Sequence, residues 1–393
     1  MIVLIPAFAG ALWFCMAVAL FAVTLGLGLW APALQRRKAL NGRMPPVSAI
    51  LPVKMLDPGF SETTASIFAQ DYPLYEVLFG AAEQDSPALK EARKIAASHP
   101  DIDCRFLHSA AAFAVSPKLN TMAAPLAAAH YDFVLSKDSN IRLEPGTLFA
   151  FMENFTEGVG LVCGVPVAVS ADNLAGEIEA TLINGHARLL LSASALGLGF
   201  GVGKVMLFRR SDVARAGGLA ALSGTLSEDT ALCAAIEGLG LKTVFCHRSV
   251  AQVTGARSFA EIYARQLRWS VIRRKNEGFK YPLEPLASPL PAALAAALAA
   301  PLFAWPAAPA FALTLLVWFG LETSFAFLKG WEVSPLAPLA FLGREILALA
   351  SWAHAFTTHD VVWADTRFDA RKGALDHEGK ETAGPNILKS DRF

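Results

Sequence analysis

Residues 47–53 read VSAILPV and residues 75–81 read YEVLFGA, two short apolar runs that are rich in β-branched and aromatic side chains. A helix-like stretch at 61–70 separates them, and the same alternation continues to about residue 255. Short strands that alternate with helices predict an α/β fold with a mostly parallel central sheet. The further predicted strands are 103–107, 133–136, 159–164, 204–208 and 241–246, and the further predicted helices are 87–98, 119–129, 145–154 and 228–239.

The composition indicates a membrane protein. Of the 393 residues, 54% are hydrophobic and 17% are charged, a balance too apolar for an ordinary soluble enzyme. The 34 basic and 34 acidic residues give a net charge of zero, so the overall charge does not indicate a nucleic-acid partner. The cysteines show no CxxC spacing, which fits reduced thiols in the cytoplasm. They are Cys15, Cys104, Cys163, Cys233 and Cys246.

The amino-terminal segment predicts a membrane span. Residues 2–32 are apolar and uncharged, and about twenty such residues suffice to cross a bilayer. The length of the run disfavours the alternative, a buried helix of a soluble domain. A secretory signal carries its basic residues in front, whereas here they follow the run. The positive-inside rule therefore predicts a cytoplasmic catalytic domain, at the inner membrane if the protein is bacterial. These basic residues are Arg36, Arg37, Lys38 and Arg43.

Two later apolar regions predict further membrane helices. Residues 285–327 are long enough for two spans joined by a tight turn. Residues 335–356 contain Arg344 and Glu345, and ionisable groups are costly inside a bilayer. This region is therefore predicted to form a shorter or re-entrant helix. The polar end of the chain is predicted to be partly disordered after about residue 372.

An aspartate follows the predicted strand 133–136, at an edge of the sheet where ligands collect. Asp138 lies there with Asn140 two positions later. Mg²⁺ and Mn²⁺ take oxygen ligands and commonly use one or two carboxylates together with substrate phosphates. Asp138 and Asn140 are therefore candidate ligands of a divalent cation, although an aspartate after a strand is also a common turn or cap residue.

Two acidic residues, Glu228 and Asp229, begin a predicted helix. Acidic side chains cap helices routinely, because the helix dipole favours negative charge at this end. A carboxylate placed one half-domain after Asp138 also suits a general base that accepts a proton from an incoming hydroxyl. Both roles stay open on the residues alone.

Residues 258–276 predict an amphipathic helix, with Arg265 and Arg268 three positions apart on its polar side. Such a helix can lie among lipid headgroups as an anchor. Alternatively, Arg265, Arg268 and Trp269 hold a departing diphosphate, since paired arginines suit phosphate geometry. The apolar side is predicted to consist of Phe259, Ile262, Tyr263, Leu267 and Val271.

Over residues of about 49–368 the chain resembles the ceramide glucosyltransferases, a branch of the inverting glycosyltransferases with the nucleotide-sugar fold called GT-A. The resemblance rests on the order and spacing of short motifs. They include LPVKMLDP at 51–58, QDYP at 70–73, PKLN at 117–120, DSNIR at 138–142, GLVCG at 160–164, ED at 228–229 and RQLRW at 265–269.

This resemblance implies functions for individual positions. It implies that Asp229 is the general base, with Glu228 beside it, and that Asp138 serves Mg²⁺ or Mn²⁺ and the diphosphate. His186 and Arg188 are implied to face the acceptor, although a single histidine of this kind can also be structural. The implied nucleotide-sugar site comprises Pro52, Asp85, Lys118, Asp138, Arg265, Arg268 and Trp269. The chain departs from the family pattern at Glu83, Asn140 and Thr230, which leaves the sugar and the acceptor open.

The resemblance implies a membrane-bound hexosyltransferase that moves glucose from UDP-glucose to the primary hydroxyl of ceramide. An alternative is transfer of glucose or N-acetylglucosamine to another membrane lipid, such as a hopanoid polyol. A polymer synthase would need more membrane spans, and a non-catalytic scaffold would not need the acidic motifs. The predicted domains are an amino-terminal membrane helix (1–34), a cytoplasmic GT-A domain (35–256), an amphipathic interfacial helix (257–284), carboxy-terminal membrane helices (285–358) and a polar tail (359–393).

Overall fold

The computed structural model describes residues 4–34, 44–225, 227–363 and 366–369. The basic cluster at 36–43 and the tail predicted to be disordered after residue 372 lie outside the described residues. The strands of the central sheet are β1 (Val47–Pro52), β2 (Tyr75–Ala81), β3 (Cys104–His108), β4 (Phe133–Lys137), β5 (Ile141–Arg142), β6 (Val159–Ala171), β7 (Val205–Arg209) and β8 (Lys242–Gly255). A separate hairpin consists of β9 (Asp360–Trp363) and β10 (Thr366–Asp369).

The eight-stranded sheet has the order β3-β2-β1-β4-β7-β6-β8-β5. Strands β1 to β4 run parallel to one another, whereas β7 runs antiparallel to both of its neighbours, β4 and β6. Strand β8 is parallel to β6, and the short β5 pairs antiparallel with β8. The predicted α/β class is thus confirmed, and the sheet is mixed around β7.

Helices cover both faces of the sheet. All six residues of β1 and all seven of β2 are buried, because each face of these strands packs against apolar side chains. The helices are α1 (Leu4–Leu34), α2 (Phe60–Phe68), α3 (Pro87–Ala97), α4 (Pro117–Ala128), α5 (Thr147–Asn154), α6 (Leu174–Ala195), α7 (Arg210–Arg215), α8 (Glu228–Gly238), α9 (Phe259–Glu277), α10 (Pro289–Ala299), α11 (Ala307–Leu328) and α12 (Ala337–His354).

Local sequence signals explain where several helices begin. The hydroxyls of Ser86 and Ser116 accept hydrogen bonds from backbone N–H groups three residues later, and proline follows each serine. Ser258 and Glu261 form a reciprocal capping box at the start of α9. Each arrangement satisfies backbone donors that the first helical turn leaves without a partner.

Within the described part of the chain, two helices are long and apolar enough to cross a membrane, namely Leu4–Ala31 within α1 and α11. They mark the chain as a membrane protein. The sequence predicts two spans over 285–327, but the first half forms α10, which has only 11 residues and is too short to cross alone. Residues Phe259–Ala287 and Pro289–Phe303 are long and apolar enough for a further span only when they are taken together, and the two segments are bent by 62° relative to each other. The 18-residue α12 matches the shorter helix predicted over 335–356.

Helix α9 has a more mixed buried face than the sequence predicts. Ile262 and Val271 are buried as expected, but Phe259 is 61% exposed, and the polar Gln266 and Ser270 are buried. The helix packs against α12, α6 and β9, so protein covers part of the face that the sequence assigns to lipid.

Candidate active site

Asp138 lies between two lysines at the carboxyl end of β4. Its Oδ1 is 2.6 Å from the Nζ of Lys118, and its Oδ2 accepts a hydrogen bond of 3.0 Å from the Nζ of Lys204. Lys118 also forms an ion pair of 3.0 Å with Glu228. One ammonium group therefore joins two carboxylates that are far apart in the sequence.

Asp229 joins this cluster through the backbone of Gly203. The N–H of Gly203 donates to Asp229 Oδ2 over 2.8 Å, and the carbonyl of Gly203 accepts from Lys118 Nζ over 2.5 Å. Asp229 Oδ1 accepts from the N–H of Thr230 (2.8 Å) and from the Ser227 hydroxyl (3.0 Å). Asp229 thus has a cap-like contact with its own helix and a second contact with the cluster.

The sheet topology explains why these residues meet. Strand β7 runs antiparallel to β4, so the start of β7 lies beside the end of β4, with Val205 opposite Lys137. The N–H of Asp138 donates to the carbonyl of Lys204 over 2.9 Å. Lys118 comes from the first turn of α4 and Glu228 from the first turn of α8, so both helices direct their amino-terminal ends at this edge of the sheet.

The charges of the cluster shift its ionisation. Burial raises the pKa of Asp138, but Lys118 and Lys204 outweigh it and lower this pKa to about 2. Burial acts against the Lys118 ammonium, yet Asp138 and Glu228 hold the pKa of Lys118 above its usual range. Burial raises the pKa of Glu228, and the charges of Asp229 and Asp138 add to this shift. Asp138 therefore stays ionised at neutral pH.

The arginines of the RQLRW motif lie on α9. Arg265 forms an ion pair of 2.6 Å with the buried Glu179, which also pairs with Arg257 at 3.5 Å. Burial lowers the pKa of Arg268 to about 10, Arg265 adds to this shift, and Glu179 and Glu228 oppose it. The charge of Glu228 thus acts on the Arg268 pKa, which couples the motif electrostatically to the carboxylates.

Three other predicted site residues, Pro52, Asp85 and Asn140, lie at or after the carboxyl ends of strands, and Trp269 lies on α9. Pro52 ends β1. Asp85 follows β2 with an exposed side chain and is 3.7 Å from Lys90. Asn140 is buried, and its carbonyl accepts a hydrogen bond of 2.9 Å from Val253. Trp269 is half-buried on α9.

The two predicted acceptor residues lie on α6. The guanidinium of Arg188 bonds to Thr24 of α1 and lies 3.8 Å from Glu322 of α11, so it connects α6 to both candidate membrane helices. The imidazole of His186 has Arg273 and Arg344 as charged neighbours. Desolvation and then these two charges lower the pKa of His186 to about 4, so His186 is neutral at physiological pH.

A second acidic cluster lies at the opposite edge of the sheet. Glu76, Asp103 and His130 offer ligand atoms within 4.8 Å of one another. The buried Glu76 already accepts hydrogen bonds from Ser48 (2.6 Å), from the His130 N–H (2.7 Å) and from Arg105. The Arg105 guanidinium already pairs with Glu76. We therefore interpret these residues as a polar network that joins the first four strands, rather than as a metal site.

Comparison with known proteins identifies the family. The sequence model of glycosyl transferase family 21 matches residues 11–376. The chain belongs to this family. Family membership agrees with the GT-A class predicted from the sequence, and it makes the chain a hexosyltransferase by class.

Curated relatives of this family member include two ceramide glucosyltransferases. Ceramide glucosyltransferase 1 of Caenorhabditis elegans is 24% identical over 333 residues, which cover 83% of the chain and 72% of that protein. The ceramide glucosyltransferase of Komagataella phaffii is 28% identical over 229 residues, which cover 50% of the chain and 45% of that protein.

Solved structures similar to this family member include a mannosyltransferase from Pyrobaculum calidifontis in complex with GDP-mannose and Mn²⁺. It is 18% identical, with a TM-score of 0.49, and the match covers 88% of the chain and 99% of that protein. Glucosyl-3-phosphoglycerate synthase from Mycobacterium tuberculosis, in complex with Mn²⁺ and UDP, is 16% identical, with a TM-score of 0.35 over 62% of the chain and 82% of that protein.

Lys204, Gly203 and Glu179 belong to the site but were not predicted from the sequence. A signal for Lys204 was present, because it begins a predicted strand, and an antiparallel pairing of that strand with 133–136 would place it beside Asp138. No comparable signal exists for Glu179, which lies on a helix that the sequence analysis did not predict.

Proposed function

We propose that this protein transfers glucose from UDP-glucose to the primary hydroxyl of ceramide, with inversion at the anomeric carbon. The bond between the glucose carbon and the diphosphate oxygen breaks, a bond to the ceramide oxygen forms, and UDP leaves. The hydroxyl proton passes to Asp229 as general base. The two ceramide glucosyltransferases among the relatives support this choice of donor and acceptor.

The observation that carries the proposal is the joint position of three carboxylates and two lysines around Gly203. Asp138, Glu228 and Asp229 meet Lys118 and Lys204 at the carboxyl edge of the sheet. Ligands of such sheets collect at this edge. A base beside cationic groups is the arrangement that a single displacement needs, because a proton is removed at one point while charge develops on a leaving diphosphate at another.

We propose that a divalent cation binds together with the donor and displaces lysine contacts of Asp138. The Lys118 ammonium lies between Asp138 and Glu228 at 2.6 and 3.0 Å, so a cation shared by both carboxylates would compete with it. Mg²⁺ and Mn²⁺ need only one or two carboxylates when phosphate oxygens supply further ligands. We assign Asp138 and Asn140 as the residues that would hold the cation. When bound, it would neutralise charge on the diphosphate.

The membrane helices suit an acceptor that cannot leave the bilayer. Helices α1 and α11 pack against each other and α1 packs along α6, so they hold the catalytic domain close to the membrane surface. We propose that this surface is cytoplasmic, where the basic residues after α1 favour it by the positive-inside rule. Arg265, Arg268 and Trp269 would then contribute to the donor side of the site.

The test is a transfer assay on the purified protein in detergent with a panel of UDP-sugars and ceramide, analysed by mass spectrometry. We expect release of UDP and formation of a hexosylceramide with UDP-glucose. Lipid extracts of a host that expresses the chain address the alternative acceptor, because a glycosylated hopanoid differs in mass from a hexosylceramide. Absence of a new hexosylceramide in both experiments would contradict the proposed acceptor.

Replacement of Lys204 tests whether the two lysines that contact Asp138, Lys118 and Lys204, contribute to UDP binding. Lys204→Met keeps much of the length of the side chain and removes one of the two ammonium groups on Asp138. We expect UDP to bind about tenfold more weakly, as expected for the loss of a charge-assisted contact worth about 1.5 kcal/mol. Isothermal titration of UDP measures this change. Lys94→Met is the control, since Lys94 is exposed and pairs at 3.1 Å with Glu91 of the same helix; equal affinities of the two variants would contradict a role for Lys204.

A further inference from the structure

A cavity of about 300 Å³ separates the catalytic domain from the membrane helices. Its walls come from the end of β6, from one face of α6, from α11 and α12 and from the loop that joins them. The volume is at the lower end of the range of about 300–1,000 Å³ that is typical of ligand pockets. It is large enough for the polar part of a lipid, whose chains would have to lie outside in the bilayer.

A buried charge cluster lies in the cavity wall. Glu322 belongs to α11, a candidate membrane span, and its carboxylate is 2.8 Å from Arg344 and 3.8 Å from Arg188. All three side chains are at most 11% exposed. An ionisable residue within a membrane span is costly and indicates a functional site. Among the described residues, the buried Nε of Arg188 meets no hydrogen-bond acceptor, so Arg188 has a donor left for a ligand.

The charges that line the cavity select against an anionic ligand. Arg188 and Arg344 are accompanied by three carboxylates, those of Glu177, Glu322 and Glu332. The lining therefore has no excess of positive charge for a phosphate group, whereas it offers donors and acceptors to hydroxyl and amide groups. Apolar side chains such as Phe325 and Phe341 complete the wall. This chemistry fits an uncharged lipid head with its first methylene groups.

The cavity lies close to the candidate active site. Ala168 and Val169 of β6 line it, and Val169 pairs with Val253 of the adjacent strand β8. The N–H of Val253 donates to the carbonyl of Asn140, in the loop that follows Asp138. Neighbouring strands are about 5 Å apart, so the wall of the cavity is separated from this loop by little more than one strand.

From these observations, and resting on the proposed function, we infer that the cavity binds the uncharged head of the acceptor lipid beyond its reacting hydroxyl. The lipid would enter from the bilayer along α11 and remain with its chains in the membrane. The reacting hydroxyl would extend toward the carboxylates of Asp138, Glu228 and Asp229. Arg188 would donate to the lipid head, which gives the predicted acceptor role of Arg188 a location.

Two adjacent residues of α11 provide a matched test. Thr323 lines the cavity and Ser324 is exposed, and each hydroxyl donates over 2.8 Å to a carbonyl four residues earlier. Thr323→Phe fills the cavity, whereas Ser324→Phe adds the same ring outside it. We expect Thr323→Phe to raise the KM for ceramide about tenfold or more, with kcat and UDP affinity changed by no more than about twofold. Ser324→Phe should match the parent.

A second measurement separates this inference from the proposed function. If the parent makes no glycolipid, the proposed function fails, but native mass spectrometry of the detergent-purified protein still tests the cavity. We expect the parent and Ser324→Phe to retain an uncharged hydroxylated lipid that Thr323→Phe lacks. Ala180→Leu, on the α6 side of the cavity, replaces Thr323→Phe if that variant does not fold. Equal lipid retention by cavity and control variants, or retention of an anionic phospholipid, would overturn the inference.

Discussion

Asp229→Asn should reduce turnover on the order of a hundredfold to ten-thousandfold, because an amide cannot accept the proton from the acceptor hydroxyl. Donor affinity should change little, since in the structure the carboxylate contacts the Gly203 N–H and its own helix terminus rather than a lysine. Initial rates, UDP affinity by titration and the thermal midpoint are measured on one preparation.

The structure also gives this variant a modest stability cost. An asparagine oxygen can still accept from the Thr230 N–H, but Asp229 Oδ2 also accepts from the Gly203 N–H at 2.8 Å. An amide NH₂ in that place cannot accept, so we expect a loss of about 1–3 kcal/mol in the free energy of unfolding. This loss is too small to unfold the chain and cannot by itself account for a large loss of turnover.

The control for Asp229 is Ser227→Ala, which removes one hydrogen bond to the carboxylate and leaves the carboxylate itself. It should keep turnover within a few-fold of the parent. If Asp229→Asn also retains such activity, Asp229 acts as a helix cap and Glu228 becomes the next candidate base. Its raised pKa, caused first by burial, would then be the feature to examine by a pH–rate profile.

The strands could be predicted because their apolar runs are compact and bounded by turn residues. β2 matches its predicted range of 75–81, and β1 differs from its prediction by one residue at its end. β6 and β8 extend well beyond the predicted 159–164 and 241–246, to Ala171 and Gly255. Their outer halves pair with each other, and this tertiary pairing has no strong signal in either segment alone.

Helix α6 was not predicted, although its 22 residues form one side of the proposed acceptor cavity. Its sequence contains Gly176, Gly185 and several polar residues among the apolar ones. It therefore lacks the clear apolar stripe by which a helix is predicted. Gly176 explains part of this pattern, since a Cβ there would lie 2.4 Å from the carbonyl of Gly255. Such close contacts depend on the assembled fold and are not visible in local periodicity.

The sequence predicted the carboxylates of the candidate site but not their contacts with the lysines. Motifs indicated Asp138, Glu228 and Asp229, but not that one ammonium, that of Lys118, joins two of them. The contact of Lys204 with Asp138 requires the antiparallel insertion of β7 next to β4, whereas an alternating pattern of strands and helices predicts parallel neighbours. Long-range topology therefore decides which charges meet.

Asp138→Ala should abolish the cation dependence of donor binding and lower turnover on the order of a hundredfold to a thousandfold, since it removes a preorganised electrostatic contact at a leaving diphosphate. Asp138 carries a pKa of about 2 because two lysines surround it, so it is a fixed negative charge at neutral pH. Without it, Lys204 loses its carboxylate partner, whereas Lys118 keeps its ion pair with Glu228, so Lys204 can face phosphate directly.

Because Asp138→Ala also removes a carboxylate partner from a lysine, its effect on UDP binding should differ with and without a divalent cation. UDP binding in the presence of a chelator should be retained or become tighter, because the Lys204 ammonium no longer has a carboxylate partner and Lys118 keeps only Glu228. Binding with added Mn²⁺ should no longer exceed binding with chelator, whereas the parent should show a clear difference. Asp138→Asn keeps the shape of the side chain and should behave in the same way. A variant whose UDP affinity still responds to Mn²⁺ as the parent does would show that Asp138 is not the cation ligand, and that the lysine pair on it serves to fix the end of β4 to the start of β7.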